Sequence, residues 1–367
     1  MVRKYLVRIF ILSILLTFIG LFLIYDTTVS RLTYQELSPF LFVNRQLVAF
    51  LIGIIFFFLF MSIPFRVWER AWSLVYLLNL ILLIFVLFFG RRSLGAQRWF
   101  SILGFSFQPS ELSKLFITIS ISGFLIELSK HKKSFSFKDY TLILSLILVP
   151  TMLVVIQPDL GTAIVIFTSG IFVLYLYGIP KKYIIRTFFL ILTILPFLWL
   201  SLKPYQQQRI LTFFDPMRDP LGSGYQVIQS MIAIGSGRIL GKGWLQGPQT
   251  HLSLIPEQHT DFIFSSLAEE FGFIGSVLLV LLYYLLFRNI WEILKRLKDN
   301  FGKLVVGGIL FTLLFQTFIN LSMVMGMAPV VGIPLPFVSF ARTSLIVSYA
   351  MLGLMFNIAL RSEINIL

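Results

Sequence analysis

The chain has 367 residues, 57% of them hydrophobic and only 13% charged, with no Cys and a formal net charge of +14. A soluble domain carries roughly a quarter charged residues and about half apolar ones, so an ordinary soluble enzyme, a disordered chain and a fibrous protein are all excluded. The 40 Phe in long uncharged runs point to lipid, not nucleic acid, beside the basic excess, and the lack of Cys removes disulfides, Cys-ligated metals and thiolate nucleophiles.

The apolar runs are continuous rather than alternating, which reads as membrane-spanning helices of about 20 residues each. The first covers 5–25. Arg3, Lys4 and Arg8 stand at its start as in a signal peptide, but the run is too long for one, and Tyr25-Asp26-Thr27 is no small-residue cleavage site. Runs at 46–63 and 71–89 follow. The fourth, 109–128, opens on Gln108-Pro109-Ser110-Glu111-Leu112-Ser113-Lys114. Pro109 suits a first helical turn, and Glu111 and Lys114, three apart, share a face. Ionisable residues inside a membrane are costly and therefore candidates for function. This pair either fixes the helix in the bundle or binds substrate.

Runs at 140–156 and 161–178 flank Gln157-Pro158-Asp159-Leu160-Gly161-Thr162. That stretch is a break with a carboxylate at its tip, either a plain turn or a functional site. A seventh run, 187–202, leads into a polar segment of 58 residues, 203–260. Connections of that length are usually functional. Asp215-Pro216 and Asp219-Pro220 mark turns, and 225–234 has helical apolar spacing suited to a membrane interface. The stretch Gly235-Ser-Gly-Arg-Ile-Leu-Gly-Lys-Gly243 looks like a phosphate loop but fails by spacing: Ser236 stands where the first Gly belongs and Gly243 where Ser or Thr belongs. His131, His251 and His259 form no metal-ligand pattern by spacing.

The eighth run, 262–287, is entered through Pro256-Glu257-Gln258-His259-Thr260-Asp261-Phe262-Ile263-Phe264, with Glu269-Glu270 further on. Thr260 or Asp261 would serve as a helix cap, but the acids continue into the segment, which a cap alone does not explain, and Asp261 is the better candidate for chemistry. After 304–324, Pro334 and Pro336 in Gly332-Ile-Pro-Leu-Pro-Phe337 break helicity, so a re-entrant or cavity-lining segment carries Arg342 into the last run, 343–360. That cation suits a phosphate or a partner acid.

The expectation is an all-α integral membrane protein: a single multi-pass domain, a bundle of ten transmembrane helices with a long extracellular loop between helices 7 and 8. One set of loops carries 18 basic residues and the other 11, which assigns both termini to the cytoplasm. Asp261, Glu111 and Asp159 then gather with Lys114, Arg98 and Arg342 at the outer end.

These segments resemble the SEDS family (shape, elongation, division and sporulation proteins). The resemblance rests on Gly95-Ala96-Gln97-Arg98-Trp99 with Gln108 to Lys114, on Gln157 to Thr162, on Tyr225 to Ser230, Ala233 to Gly237 and Gly241-Lys242-Gly243, on Pro256 to Phe264, and on Gly332 to Phe337. One departure is plain: Ala341-Arg342 stand where the family usually has Gly-Gly. The resemblance implies an inverting peptidoglycan glycosyltransferase of the bacterial inner membrane, its active site facing outward. Such an enzyme polymerises lipid II, a disaccharide-pentapeptide on undecaprenyl pyrophosphate, for cell-wall elongation and cell shape. It also implies Asp261 as catalytic base, with Glu111, Lys114 and Asp159 in the substrate cavity. Arg98, Lys242 and Arg342 are our own candidates for pyrophosphate contacts. The expected partners are a class B penicillin-binding protein acting as transpeptidase and other elongation-complex membrane proteins, with no nucleic acid. No cofactor is fixed by this reading; a divalent cation (Mg or Mn) could share the neutralisation of the pyrophosphate, without a readable ligand set. A lipid II flippase and a scaffold for a transpeptidase are the rival readings.

Overall fold

The structure, a computed structural model, describes residues 2–93, 96–102, 105–131, 135–201, 204–219 and 222–364. Basic residues Lys132, Lys133 and Lys203, the expected turn residue Pro220 and the motif residue Gly95 lie outside them. In chain order the elements are helices α1 (Val2–Tyr34), α2 (Leu41–Ser62), α3 (Phe65–Arg70) and α4 (Trp72–Phe89), strands β1 (Arg91–Ser93), β2 (Ala96–Ile102) and β3 (Phe105–Phe107), then helices α5 (Pro109–His131), α6 (Phe137–Ile156), α7 (Leu160–Tyr177), α8 (Lys181–Ser201), α9 (Pro204–Phe214), α10 (Ser223–Ser236), α11 (Pro248–His251), α12 (Ile263–Arg296), α13 (Asn300–Val324) and α14 (Arg342–Ile364). Among the described residues, nine of these helices are long and apolar enough to cross a membrane. The seventh expected run is also helical, as the 21 residues of α8.

The chain is not purely helical. Strands β1, β2 and β3 form an antiparallel sheet in that order, a small flap between α4 and α5. Helix α1 also runs nine residues past its expected end at Tyr25. Polar side chains there satisfy themselves on the helix: Thr27 Oγ1 donates to the Leu23 carbonyl at 2.8 Å and Thr28 Oγ1 to the Ile24 carbonyl at 2.6 Å.

Helices α5 and α14 form the centre. Nearly every described side chain of α14 is buried, and α14 packs on α2 with backbones touching. A Cβ on Gly353 would fall 2.2 Å from the Phe57 carbonyl oxygen, so only glycine allows that approach. Hydroxyls cross-link the interior: Thr17 to Tyr349 at 2.9 Å joins α1 to α14, and Ser169 to Thr312 at 2.9 Å joins α7 to α13. At one end of the bundle Arg66 pairs with Asp299 at 2.7 Å and Glu69 at 2.6 Å, while Lys130 reaches Glu69 at 3.0 Å.

Among its described residues the long loop carries regular structure. It holds α9, a 3-10 turn Pro216–Arg218, α10 and α11. The helical spacing at 225–234 is realised in α10, which is held by Ser230 Oγ, 2.8 Å from Ser265 Oγ and 2.6 Å from the Val324 carbonyl. Helix α12 breaks at Gly272 (φ 61, ψ −157), a backbone state that glycine alone adopts readily. The N–H groups freed by the break are taken up by the loop: Phe273 donates to the Arg238 carbonyl at 2.9 Å and Ile274 to that of Ile239 at 3.2 Å.

Candidate functional site

Four helices, α5, α7, α12 and α14, begin around one cavity of about 380 Å³, at the end of the bundle away from the Arg66 and Glu69 network. Residues at or just before their starts line it: Glu111, Asp159 with Thr162, Asp261 with Phe262, and Arg342 with Thr343 and Ser344. A helix N-terminus carries about half a positive charge in unpaired N–H groups. Four such ends on one hollow favour an anion there.

Asp159 has its position fixed from several sides. As N-cap of α7 it accepts from the Thr162 N–H at 3.3 Å. Its other oxygen accepts from Gln108 Nε2 at 2.6 Å and Ser110 Oγ at 3.3 Å. Arg98, on the flap, reaches it at 3.4 Å, with its guanidinium 4.3 Å from the Trp99 ring centre. The carboxylate thus holds the flap's cation at the cavity while also capping a helix.

Glu111 and Lys114 are 2.6 Å apart, with side chains 6% and 2% exposed. Glu111 lines the cavity; Lys114 stands behind it, in the protein interior.

Asp261 is not the side-chain cap of α12; Phe262 occupies that position and makes no cap bond. Its backbone is tied down instead. Asn320 Nδ2 donates to the Asp261 carbonyl at 2.9 Å and to that of Ile333 at 2.8 Å, joining the loop end to the Gly332–Phe337 segment. Gly332 (φ 66) passes beside the carboxylate; a Cβ there would sit 3.4 Å from Asp261 Oδ2. Burial raises the Asp261 pKa from 3.8 to about 6, helped by the Glu257 and Asp159 carboxylates and opposed by the Arg209 and Arg98 guanidiniums. Nearby His259 has the reverse shift. Burial and Arg31 lower its pKa to about 4, and its ring lies between Phe42 (4.8 Å) and Phe340 (5.4 Å), a neutral packing residue at physiological pH.

Lys242, offered as a pyrophosphate contact, is placed elsewhere. It does not line the cavity; its ammonium lies 2.9 Å from Glu269, whose other bonds come from Gln249 N, Thr250 N and Thr250 Oγ1 at 3.1, 3.0 and 2.8 Å. The acids that a helix cap could not explain hold the loop onto α12.

A family model described as cell cycle protein, covering FtsW, RodA and SpoVE, matches residues 6–364. The chain belongs to the SEDS family. Among curated relatives, the peptidoglycan glycosyltransferase MrdB of Escherichia coli (strain K12) is 42% identical over 317 residues, 86% of this chain and 85% of that protein. A probable peptidoglycan glycosyltransferase FtsW of Geobacter sp. (strain M18) is 33% identical over 98% of both chains. Among solved structures, a chain of a peptidoglycan synthase complex, solved to address coordination of polymerization and crosslinking, superposes with TM-score 0.78 at 33% identity over 96% of both chains. The rod shape determining protein RodA of Thermus thermophilus gives 0.70 at 28% identity, over 96% of this chain and 95% of that one.

In this SEDS chain the Ala341-Arg342 departure puts an extra guanidinium at the start of α14, on the cavity wall. Gln206 and Arg209 on α9 line the cavity outside every motif read in the sequence, and Glu257, within the Pro256 to Phe264 motif, lines it without having been given a role. The signal for the first two was there. Gln206, Arg209 and Ile210 have helical i, i+3, i+4 spacing, and all three face the cavity.

Proposed function

We propose that this chain is a peptidoglycan glycosyltransferase acting on lipid II at the cavity, with Asp261 as general base. Asp261 takes the proton from an acceptor sugar hydroxyl. The hydroxyl oxygen attacks the donor's anomeric carbon from the face opposite the α-linked pyrophosphate. The C–O bond to the pyrophosphate breaks, its electron pair leaves with undecaprenyl pyrophosphate, and a β-1,4 link forms by inversion. Arg98, Arg209 and Arg342, with the converging helix ends, counter the charge that grows on the leaving group. Glu111, backed by Lys114, and Asp159 hold the wall in place. The observation that carries this reading is Asp261 itself: a carboxylate with pKa near 6 in an anion-suited cavity.

Among the described residues, the three-residue group of His and acids lies outside the cavity. We place the cavity on the outer face of the membrane, both termini in the cytoplasm, and a class B penicillin-binding protein alongside as transpeptidase; the likeness to a synthase-complex chain supports that partner.

The test is reconstitution of the purified chain in liposomes with its transpeptidase partner carrying an inactivated crosslinking site. Fluorescent lipid II should be converted to polymer. Scrambling of lipid II between leaflets with no polymer would instead establish the flippase, and neither activity would leave a scaffold.

A further inference from the structure

Outside the cavity, three elements distant in sequence bring Asp26 (α1), His251 (α11) and Glu270 (α12) together, with one ligand atom of each within 4.8 Å of the others. His251 Nε2 lies 2.7 Å from Glu270 Oε1 and 3.8 Å from Asp26 Oδ1. Asp26 is wholly buried, and neither of its carboxylate oxygens has a hydrogen-bond partner. An ionised carboxylate is not left so in a protein interior; it takes a proton or a cation. The nearby ammonium, Lys242, is already bound to Glu269.

The surroundings are built around this point. Ser30 Oγ is 2.8 Å from His251 Nδ1, which orients the ring so that Nε2 faces the two carboxylates. Glu270 is held by the Leu245 N–H at 3.1 Å and the Gly247 N–H at 3.3 Å. A Cβ on Gly247 would come within 2.6 Å of Glu269 Oε2. An imidazole nitrogen with two carboxylate oxygens, the imidazole and Glu270 each held by an outer partner and Asp26 left open, is a ligand set for a divalent transition metal. Ligands about 2.0–2.2 Å from such an ion stand some 3–4 Å from each other, the spacing that small shifts of these atoms would give.

We propose that Asp26, His251 and Glu270 form a binding site for a divalent transition-metal ion, Zn²⁺ or Mn²⁺, that fastens the extracellular loop and the first half of α12 to α1. The ion's role is structural: it ties down the two elements on either side of Asp261 without entering the cavity.

The experiment uses the full-length protein in detergent at pH 7.5, stripped with EDTA and titrated with Zn²⁺ and with Mn²⁺ separately, reading bound metal by mass spectrometry and unfolding temperature. One equivalent should bind and raise the unfolding temperature by several degrees. His251→Ala and Asp26→Asn should each abolish both effects, and Ser30→Ala should weaken binding by about 10- to 100-fold. The rival occupant is a proton shared between Asp26 and Glu270. It predicts no stoichiometric metal, no effect of EDTA, and an Asp26→Asn protein at least as stable as the parent; that result, or metal binding unchanged in both ligand variants, would overturn the proposal. Should His251→Ala fail to fold, Asp26→Asn, close to isosteric, carries the decision alone.

Discussion

Replacing Asp261 by Asn is expected to slow polymer formation by about 10²- to 10⁴-fold, the usual contribution of a positioned general base. The protein should not lose its fold. The sign follows from the shift in pKa: Asp261 titrates near 6 in the folded protein against an ordinary 3.8. Its neutral form is therefore the one the fold prefers, and stability is given up as pH rises from 3.8 through 6. At pH 8 the Asn variant should unfold at or above the parent's temperature. The difference should narrow as pH falls toward 3.8. Polymerisation undiminished in the Asn variant would remove Asp261 from the chemistry, whatever the reaction. Loss of both activity and fold would mean that the carboxylate serves the structure.

The second large effect is expected at Lys114. Its ammonium is enclosed 2.6 Å from Glu111, so Lys114→Met strands a buried carboxylate on the cavity wall. Breaking a buried pair in this way costs about 3–5 kcal/mol, which should appear as a large drop in unfolding temperature in detergent. The double variant Glu111→Gln with Lys114→Met removes both charges and should recover most of that loss. If the single variant is as stable as the parent yet inactive, Lys114 contacts substrate directly. If the double variant is stable but inactive, the Glu111 charge serves the reaction as well as the fold.

The two effects separate what the sequence made legible from what it did not. Apolar runs announced the spanning helices because lipid demands length and low charge of each one independently. Breaks at Gln108, Asp159, Asp261 and Arg342 were legible for the same reason: each is polar where an apolar run starts. That their charges gather at the outer end was expected; that the helix N-termini themselves converge on one hollow was not legible, since it depends on how the helices pack. Helix α1 was read too short because Asp26, Thr27 and Thr28 resemble an end, whereas the threonines bond back to the helix and Asp26 meets His251 and Glu270. Lys242 was offered as a pyrophosphate contact as a cation of the long polar loop. The partner that claims the lysine, Glu269, comes from another element and is reached only through the fold. Arg209 was passed over because α9 is short and polar, with no apolar run to announce it.

The most direct test of the central claim is the pH dependence of polymerisation in reconstituted protein under saturating lipid II. A base with pKa near 6 must be ionised to act, so the rate should be level above pH 7 and fall toward tenfold per unit below about 6, with the Asn variant lacking that limb. A rate that stays flat from pH 5 to 8, or a limb that persists in the variant, would contradict the account.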